Sequence, residues 1–453
     1  MNVIVILCDS WRWDHFGFNG NDWIETPRLD AFGKECAVID NAYTEGLPTL
    51  PQRTAAFTGR FTFPWRGWED MRPEDGRLAR SLFDANVYTS LISDSMPMFT
   101  MGHGYTQWFD HVEFIRGQSG WAFTDEMLDA EVDMGPIYPA GRVVNHPGLH
   151  KWVQQFSVWR SDEDHLAAQV IKAAIKWIDK YDRPQPFMLW LDTFDPHEPW
   201  NPPEEFWRKY DADYHGELMP ICPFPRQDGF SITEREAKVV RALYAGECTM
   251  VDKWVGIFID HLRDGGLLED TLVIFTSDHG EPLGEGTWGH GLWRKFAPWP
   301  YDELAHVPLL IRHPEGHGAG RRFSSFFQSC DLTATVLDAF GVRPTEKMHG
   351  RSILPVIEGE EESLRDFAVA CHSLKSGIGA SRSIRTDEWT FMYWPRGKPA
   401  APPSKDVAPR ATELYRRSTD PAEQENVVAE YPDVAGELEL RLRRFEDELV
   451  SQA

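Results

Sequence analysis

The chain has 453 residues, of which 42% are hydrophobic, and a formal net charge of −25 at pH 7. This length suits one large α/β domain with a smaller appendage. The acidic charge argues against nucleic acid and anionic membranes as partners, since both need a basic protein face, but it leaves room for a small anion held by a metal and a few basic residues.

Short apolar runs alternate with helical patterns along most of the chain, which is typical of βαβ units. In chain order, the pattern predicts strands at 3–7, 87–92, 187–191, 271–276 and 307–311, and helices at 27–32 (opened by Thr26 and Pro27), 167–181, 238–267 and 331–340. These elements predict an α/β fold with a mostly parallel sheet flanked by helices. Ligands of such sheets bind outside the carboxyl ends of the strands, where polar clusters stand in this sequence.

The character of the chain changes near residue 360. Short predicted strands at 367–372, 381–385 and 389–393 precede a Pro-rich stretch at 396–409 and a charged helix at 434–449. We therefore predict a catalytic domain at 1–360 and a small C-terminal α+β subdomain at 361–453. Residues 110–165 lack periodicity and are interpreted as an insertion that shapes the cleft, with a loop that merely covers the core as the alternative.

Thr49 stands in the most informative segment of the chain. Residues 45–60 read Glu-Gly-Leu-Pro-Thr-Leu-Pro-Gln-Arg-Thr-Ala-Ala-Phe-Thr-Gly-Arg. Further blocks lie at 5–14, 194–200, 276–281, 289–295 and 413–421. In order and over nearly the whole length, these blocks resemble the sulfatase family, a branch of the alkaline phosphatase superfamily. In that family a Cys or Ser at the position of Thr49, normally oxidised to formylglycine, starts the nucleophile helix.

The resemblance implies a hydrolase site that contains one divalent cation, Ca²⁺, Mn²⁺ or Zn²⁺. The implied metal ligands are Asp9, Thr49, Asp278 and His279. Carboxylate and imidazole groups are suitable ligands for such ions, and coordination is one way to turn a hydroxyl into a nucleophile near neutral pH. The implied catalytic residues are Thr49 as nucleophile, Arg53 to steady nucleophile and anion, His197 and Lys295 to hold the non-bridging oxygens, and His290 to protonate the leaving oxygen.

Each of these residues also has a purely structural interpretation. Thr49 is a favoured helix cap, and Arg53 could be a helix surface residue. His197 could be packed between its neighbouring prolines, His290 could be structural, and Lys295 could be a solvated loop residue. Ser10 stands where sulfatases often have a second Asp ligand, and we leave it out of the ligand set.

Two departures from the family pattern bear on the reaction. Threonine carries a methyl group on its carbinol carbon, so it cannot be oxidised to the aldehyde. In addition, the usual Lys-x-His pair after the 87–92 strand is replaced by Ser93-Asp94-Ser95, and His103 is more readily explained as a loop residue than as its substitute. Both departures lead away from formylglycine chemistry.

The sequence therefore predicts a metal-dependent hydrolase of phosphate or sulfate esters that uses Thr49 as metal-bound nucleophile, with phosphate mono- or diesters favoured on mechanism. The alternatives are a sulfatase acting on a small organic sulfate and a degenerate anion-binding protein. The expected partner is a small anionic ester, and the sequence leaves open its alcohol group and whether the chain forms a homo-oligomer. No targeting or membrane-spanning segment is evident, and the six scattered cysteines suggest no disulfide framework, which predicts a cytoplasmic protein.

Overall fold

A computed structural model describes most of the chain. The described residues are 1–63, 66–100, 102, 104–117, 124–131, 149–220, 232–284, 286, 289–295, 299–344, 347–372, 381–395 and 412–452. His103, the Pro-rich stretch 396–409 and much of the predicted 110–165 insertion lie outside them. In the part of the chain that is described, no helix is both long enough and apolar enough to span a membrane.

An eight-stranded sheet forms the centre of the molecule. Across the sheet, the strands are β11 (Arg322–Gln328), β2 (Ala37–Tyr43), β10 (Leu309–Arg312), β7 (Thr271–Ser277), β1 (Asn2–Cys8), β6 (Phe187–Thr193), β4 (Tyr88–Ser93) and β5 (His111–Phe114). All neighbours are parallel except β10, which runs antiparallel to both β7 and β2. The predicted fold class, α/β with a mostly parallel sheet, is confirmed.

Helices cover both faces of this sheet, so its strands are apolar on both sides. In chain order, the α-helices of the described residues are α1 (Pro27–Gly33), α2 (Thr49–Thr58), α3 (Leu78–Asp84), α4 (Met96–Thr100), α5 (Asp125–Leu128), α6 (Leu149–Phe156), α7 (Leu166–Lys180), α8 (Glu204–Trp207), α9 (Glu234–Asp264), α10 (Asp302–Ala305), α11 (Cys330–Ala339), α12 (Leu354–Glu358) and α13 (Pro432–Gln452), of which α13 packs on the second sheet. In β1, Ile4 and Ile6 pack towards α7 and α9, whereas Val5 and Leu7 pack towards α2 and α11.

A second sheet of five strands lies beside the C-terminal helix. Its order is β15 (Glu413–Arg416), β14 (Trp389–Tyr393), β13 (Ser381–Arg385), β12 (Ala368–His372) and β3 (Gly46–Leu47). The short β3 comes from the N-terminal part of the chain and pairs in parallel with β12. The segment that leads into α2 is therefore fixed by the C-terminal sheet. Strands β8 (Leu283–Gly284) and β9 (Leu292–Trp293) form a separate hairpin-like pair. The boundary at residue 360 stays a prediction.

The predicted elements agree with the observed ones in type and differ at their ends. In the large sheet, strands β2, β5 and β11 were not predicted. Strands such as Ala37–Tyr43 carry polar residues in the middle and no clear apolar run. Thr26 precedes α1 as predicted, but its hydroxyl accepts a hydrogen bond from Gly17 N and donates to Asp30, and it does not cap the helix.

Candidate active site

Three side chains of types that can bind a metal ion meet at the carboxyl edge of the large sheet. Asp9 follows β1, while Asp278 and His279 follow β7. Cys8 is paired with Ser277 in the parallel ladder, so the residues that follow emerge side by side. One ligand atom from each of Asp9, Asp278 and His279 lies within 4.8 Å of the others, and all three residues are buried. The fold therefore brings together residues that are about 270 positions apart along the chain.

The tautomer of His279 is fixed by its surroundings. Nδ1 lies 2.7 Å from the carbonyl oxygen of Gly280, which can only accept, so Nδ1 carries the proton and donates it. Burial lowers the pKa of His279 to about 3, and the ring is neutral at physiological pH. The lone pair of Nε2 then faces Asp278 Oδ2 at 3.5 Å and Asp9 Oδ1 at 3.8 Å. This is the protonation state that a metal ligand requires.

Thr49 is the first residue of α2, and its side chain is turned into the same cluster. Pro48 occupies the cap position of the helix, and no side chain caps it. Thr49 is 1% exposed, and its Oγ1 lies 3.4 Å from His279 Nε2. Because Nε2 is an acceptor, the hydroxyl of Thr49 is the donor in this contact. The interpretation of Thr49 as an ordinary helix cap is therefore wrong.

Arg53 lies one turn further along α2 and is completely buried among carboxylates. Its Nε and Nη2 donate to Asp192 at 2.9 and 2.7 Å, and Nη1 donates to Asp278 Oδ2 at 2.7 Å. Nη1 also donates to the Thr49 carbonyl at 3.2 Å, and Nη2 lies 3.2 Å from Asp9. Arg53 thus holds the backbone of Thr49, but its donors are occupied by protein groups. The predicted contact between Arg53 and the substrate anion is therefore not supported. The position of a residue along a helix does not reveal which acceptors surround its side chain.

Asp192, the main partner of Arg53, was given no role by sequence analysis. Its position at the carboxyl end of the predicted strand 187–191 was the available signal. Together, Asp9, Asp192 and Asp278 outnumber the nearby cations Arg53 and Lys295, so the cluster has an excess of negative charge. In addition, Asp9 Oδ2 is buried and accepts no hydrogen bond, although Arg53 Nη2 lies 3.2 Å away as an ion-pair partner. Negative charge, a carboxylate oxygen that accepts no hydrogen bond and a neutral imidazole lone pair fit a divalent cation.

Lys295 and Ser10 complete the polar lining of the cluster. Lys295 is 2% exposed, and its Nζ lies 3.3 Å from Ser10 Oγ, 4.0 Å from Asp9 Oδ1 and 3.7 Å from Glu198 Oε2. The solvated-loop interpretation of Lys295 is therefore wrong. Ser10, excluded from the predicted set, donates from Oγ to Asp9 Oδ1 at 2.8 Å and from its amide to Asp278 Oδ1 at 2.9 Å. Its φ of 65° turns the chain sharply after β1 and allows both bonds.

His197 is oriented by the residue that follows it. Its Nδ1 donates to the Glu198 carbonyl and lies 3.2 Å from Glu198 Oε2, so Nε2 is the unprotonated ring nitrogen. Burial lowers the pKa of His197 to about 3, which keeps the ring neutral. In this state Nε2 accepts hydrogen bonds. The predicted role of donating to non-bridging oxygens would require His197 to take up a proton first.

His290 is engaged elsewhere. Its Nδ1 lies 2.9 Å from Glu303 Oε1 and its Nε2 lies 2.6 Å from the Glu423 carbonyl, so both nitrogens donate to acceptors. Burial alone would lower the pKa of His290, but Glu303 and Glu423 outweigh burial and raise it. The ring also stacks on Tyr301 at 3.5 Å. Among the described residues, no contact joins His290 to the metal-binding cluster. This geometry favours the structural interpretation and does not support His290 as the proton donor.

Comparisons with known proteins agree with this arrangement. A family model described as Sulfatase matches residues 1–342. The chain belongs to the sulfatase family. A second model, described as N-sulphoglucosamine sulphohydrolase, C-terminal, matches residues 289–448 of this sulfatase-family chain. As a member of the family, the protein is a hydrolase that acts on ester bonds, and the family's members bind a divalent metal ion.

Relatives match this sulfatase-family chain over most of its length. Arylsulfatase K of Bos taurus is 26% identical over 478 residues, which cover 98% of this chain and 81% of the relative. The arylsulfatase of Clostridium perfringens is 26% identical over 431 residues, which cover 87% of this chain and 85% of the relative.

Solved structures show the same fold at lower identity. The phosphonate monoester hydrolase of Agrobacterium radiobacter superposes with a TM-score of 0.72 at 22% identity, covering 100% of this chain and 95% of that one. A structure in complex with D-glucosamine-2-N,6-O-disulfate gives a TM-score of 0.72 at 19% identity, covering 99% and 98% of the two chains.

In this sulfatase-family chain, Asp94 follows β4, at the place where the sequence resemblance predicted a Lys-x-His pair. Asp94 is buried, and its Oδ1 accepts a hydrogen bond from Phe194 N at 2.8 Å, while Oδ2 has no partner. Burial, followed by the nearby Asp195, raises the pKa of Asp94 well above its usual range. Asp94 is therefore a buried acidic group whose neutral form is favoured.

The chain has 19 tryptophans, and their abundance predicts a rim of rings on which an organic substrate group could stack, but the described tryptophans do not form such a rim. Trp152, Trp200, Trp293 and Trp299 are between 0% and 9% exposed and belong to the hydrophobic clusters. Trp108 is 41% exposed, but Arg80 from α3 covers its ring at 4.1 Å. Trp121 lies outside the described residues. The rim was inferred from abundance alone, and abundance does not distinguish a core ring from a surface ring.

We expect a buried ion pair to position both His197 and Lys295. Glu198 Oε1 accepts from Arg294 Nε at 3.0 Å and from its Nη2, while the same carboxyl group faces His197 and Lys295. Burial would raise the pKa of Glu198, but Arg294, His197 and Lys295 hold it below its usual range. Glu198→Gln or Arg294→Met should each lower the free energy of unfolding by about 3–5 kcal/mol, because each removes the main partner of a buried charge. Denaturant unfolding measures this loss.

A double-mutant cycle supplies the control for the Glu198–Arg294 pair. The double variant should lose clearly less than the sum of the two single losses, because it leaves neither charge alone. The exposed Arg80–Asp84 pair in α3 is a control, and Asp84→Asn, which breaks the pair but leaves Arg80 on the Trp108 ring, should leave stability nearly unchanged. Additive losses at Glu198 and Arg294 would contradict the pairing.

Proposed function

We propose that this sulfatase-family hydrolase cleaves phosphate mono- or diesters, with Thr49 as the nucleophile. The observation that carries the proposal is the buried Thr49 hydroxyl, which faces the His279 lone pair at 3.4 Å inside the acidic cluster. Asp9, Asp278, His279 and Thr49 would hold one divalent cation. Such a cation, when bound, lowers the pKa of a hydroxyl and stabilises negative charge on oxygen.

The proposed reaction has two steps that balance. In the first, Thr49 Oγ1 forms a bond to phosphorus, the ester P–O bond breaks, and the hydroxyl proton goes to the leaving oxygen. His197 Nε2 is the proposed carrier of that proton, since Nδ1 is held by Glu198 and Nε2 is a neutral acceptor. In the second step, water cleaves the phosphothreonine at phosphorus and regenerates Thr49.

Threonine suits phosphate esters better than sulfate esters. The formylglycine hydrate of other family members releases sulfate by collapsing to the aldehyde. A sulfated Thr49 has no such route, because its carbinol carbon carries a methyl group, and water would have to attack sulfur. Hydrolysis of a phosphothreonine is, by contrast, ordinary chemistry for phosphoesterases with a hydroxyl nucleophile.

The charge of the site favours an ester with a single negative charge. Arg53 is occupied by Asp9, Asp192 and Asp278, and Lys295 already faces Asp9 and Glu198. Asp94, whose pKa is raised by burial, adds no positive charge at the position where the family resemblance predicts cations. A phosphodiester, which carries one negative charge, therefore fits better than a doubly charged monoester.

A sulfuric ester remains the second candidate, because the curated relatives named above are arylsulfatases. A degenerate anion-binding protein is the third, and the complete Asp9, Asp278 and His279 cluster weighs against it. None of these three candidate functions specifies the alcohol part of the substrate.

A panel of p-nitrophenyl esters tests the proposal. Protein loaded in turn with Mn²⁺, Zn²⁺ or Ca²⁺ is assayed with the sulfate, the phosphate, the bis-phosphodiester and a phosphonate monoester. We expect the phosphodiester to react fastest and the sulfate slowest. Removal of the metal with a chelator should abolish turnover, and re-addition should restore it.

Two outcomes would contradict the proposal. Faster turnover of the sulfate would support the second candidate. Failure of the metal-loaded protein to turn over any ester, combined with saturable binding of phosphate or sulfate, would support the anion-binding protein.

A further inference from the structure

A second group of metal-binding side chains lies in the loop between β10 and β11. The loop begins His313-Pro314-Glu315-Gly316-His317. One ligand atom from each of His313, Glu315 and His317 lies within 4.8 Å of the others. We infer that this loop binds a zinc ion, and that a carboxylate from α12 completes the site. We call these residues, with Glu358, the peripheral metal site.

The side chains of the peripheral metal site already face one another. His317 Nε2 lies 3.2 Å from Glu315 Oε2, and the rings of His313 and His317 are 4.7 Å apart. His313 Nε2 lies 3.8 Å from Oε1 of Glu358, the last residue of α12. Two imidazoles and two carboxylates therefore converge from two separate elements.

The backbone of the loop is held in a defined shape. Gly316 has a φ of 76° and donates from its amide to the His313 carbonyl at 2.9 Å, which closes a turn between the two histidines. Gly318 has a φ of 69°, and a Cβ there would lie 2.9 Å from Ala37 and 3.3 Å from Ile357. The glycine thus lets the loop press against α12 next to Glu358. The ligands are preorganised by this packing, which reduces the entropy that binding would cost.

The composition of the site selects the metal. Neutral imidazole nitrogen together with carboxylate oxygen is a typical zinc ligand set, whereas Ca²⁺ and Mg²⁺ prefer oxygen ligands alone. The two carboxylates match the charge of a divalent ion. The nearest cation along the chain, Arg312, is directed away, since its Nη1 donates to the Leu268 carbonyl and its Nε lies 3.5 Å from Glu35.

The cost of binding is small. The Glu315 amide donates to His313 Nδ1 at 3.2 Å, so in the neutral ring Nε2 carries the proton. Coordination through Nε2 would require the tautomer with the proton on Nδ1, and the long hydrogen bond from the Glu315 amide would be lost. His313 is buried while the side chains of Glu315 and His317 are 76% and 40% exposed, so the ion can enter from solvent.

The peripheral metal site is separate from the catalytic cluster. Because β10 runs antiparallel to β7, with Leu309 opposite Thr276 and Arg312 opposite Val273, His313 emerges at the edge opposite to Asp278. A zinc ion there would not reach the substrate. It would tie the β10–β11 loop to α12 and stabilise the fold.

Zinc titration of the whole protein, with its catalytic site saturated with Ca²⁺ or Mn²⁺, tests this inference. We expect one further equivalent of Zn²⁺ to bind and to raise the melting temperature, and Co²⁺ in its place to give the visible absorption of a four-coordinate ion. His317→Ala should abolish both effects without changing ester turnover. Glu358→Gln should weaken Zn²⁺ binding by about 10–100-fold.

Two control variants make the result specific. His261→Ala removes a surface histidine paired only with Asp179 and should keep the extra equivalent. Asp278→Asn, in the catalytic cluster, should also keep it. Retention of the extra equivalent by His317→Ala, its loss in Asp278→Asn, or no second equivalent in the wild type would each overturn the inference. None of these readouts depends on the reaction proposed for Thr49.

Discussion

Replacing Thr49 by alanine is expected to lower kcat for the best phosphate ester on the order of 10⁴-fold or more, the scale seen when a covalent nucleophile is removed. The reason is that the hydroxyl near His279 would form the covalent intermediate. Asp9, Asp278 and His279 remain in the variant, so its metal content should stay close to that of the wild type. Steady-state kinetics together with metal analysis separate the two roles.

Two further variants control this experiment. Thr49→Ser keeps the hydroxyl and should keep most of the activity. Thr54→Ala removes the same group from the next turn of α2, where Oγ1 is bonded to the Tyr105 hydroxyl, and should leave kcat nearly unchanged. Equal rates for wild type and Thr49→Ala would exclude Thr49 as the nucleophile. A loss of metal in parallel with activity would make it a ligand only.

Replacing Arg53 by methionine is expected to destabilise the protein by about 3–5 kcal/mol or more, because it leaves buried carboxylates without their shared cation. Asp192 would be affected most, since it accepts hydrogen bonds from both Nε and Nη2 of Arg53. Arg53→Lys keeps the charge but replaces the planar guanidinium with a single ammonium group. Its loss of stability should therefore be smaller than that of Arg53→Met. Denaturant unfolding of the metal-free proteins measures both.

The pH dependence of this loss has a definite sign. Burial already raises the pKa of Asp192 in the wild type, and Arg53 opposes that rise. Without Arg53, the folded-state pKa of the carboxyl moves further above its unfolded value. Stability from such a group is present at low pH and is lost as pH rises, so the deficit of Arg53→Met should shrink from neutral to mildly acidic pH. Addition of a divalent cation should also reduce the stability deficit of Arg53→Met. A deficit that is independent of pH and metal would contradict this account.

Much of the fold could be predicted from the sequence because buried parallel strands carry continuous apolar runs. Residues 187–191 and 271–276 fall inside β6 and β7, and the 167–181 pattern matches α7 within one residue at each end. The missed strands lack this signal. In β11, Arg322–Gln328, polar and apolar residues mix, and β3 is two residues long and exists only because β12 pairs with it.

The candidate site, like the fold, could be predicted only in part from the sequence. Asp9, Thr49, Asp278 and His279 were found from motifs at predicted strand ends and a helix start, and the fold brings them together. The sequence also contained Asp192, Glu198 and Ser10, but nothing marked their partners. Hydrogen-bond partners are distant along the chain, as with Arg53 and Asp192, which are 139 positions apart.

The sequence by itself determined the family, the α/β fold and the residues able to bind a metal. This was possible because apolar periodicity and local motifs depend on residues that are close together along the chain. Only the tertiary structure decided what those residues do. In the folded chain, the donors of Arg53 are bonded to carboxylates, and both ring nitrogens of His290 are hydrogen-bonded. The Thr49 hydroxyl faces His279. The physical reason is that protonation states and free donors depend on burial and on neighbours, and the neighbours are set by strand register and helix packing across the whole chain.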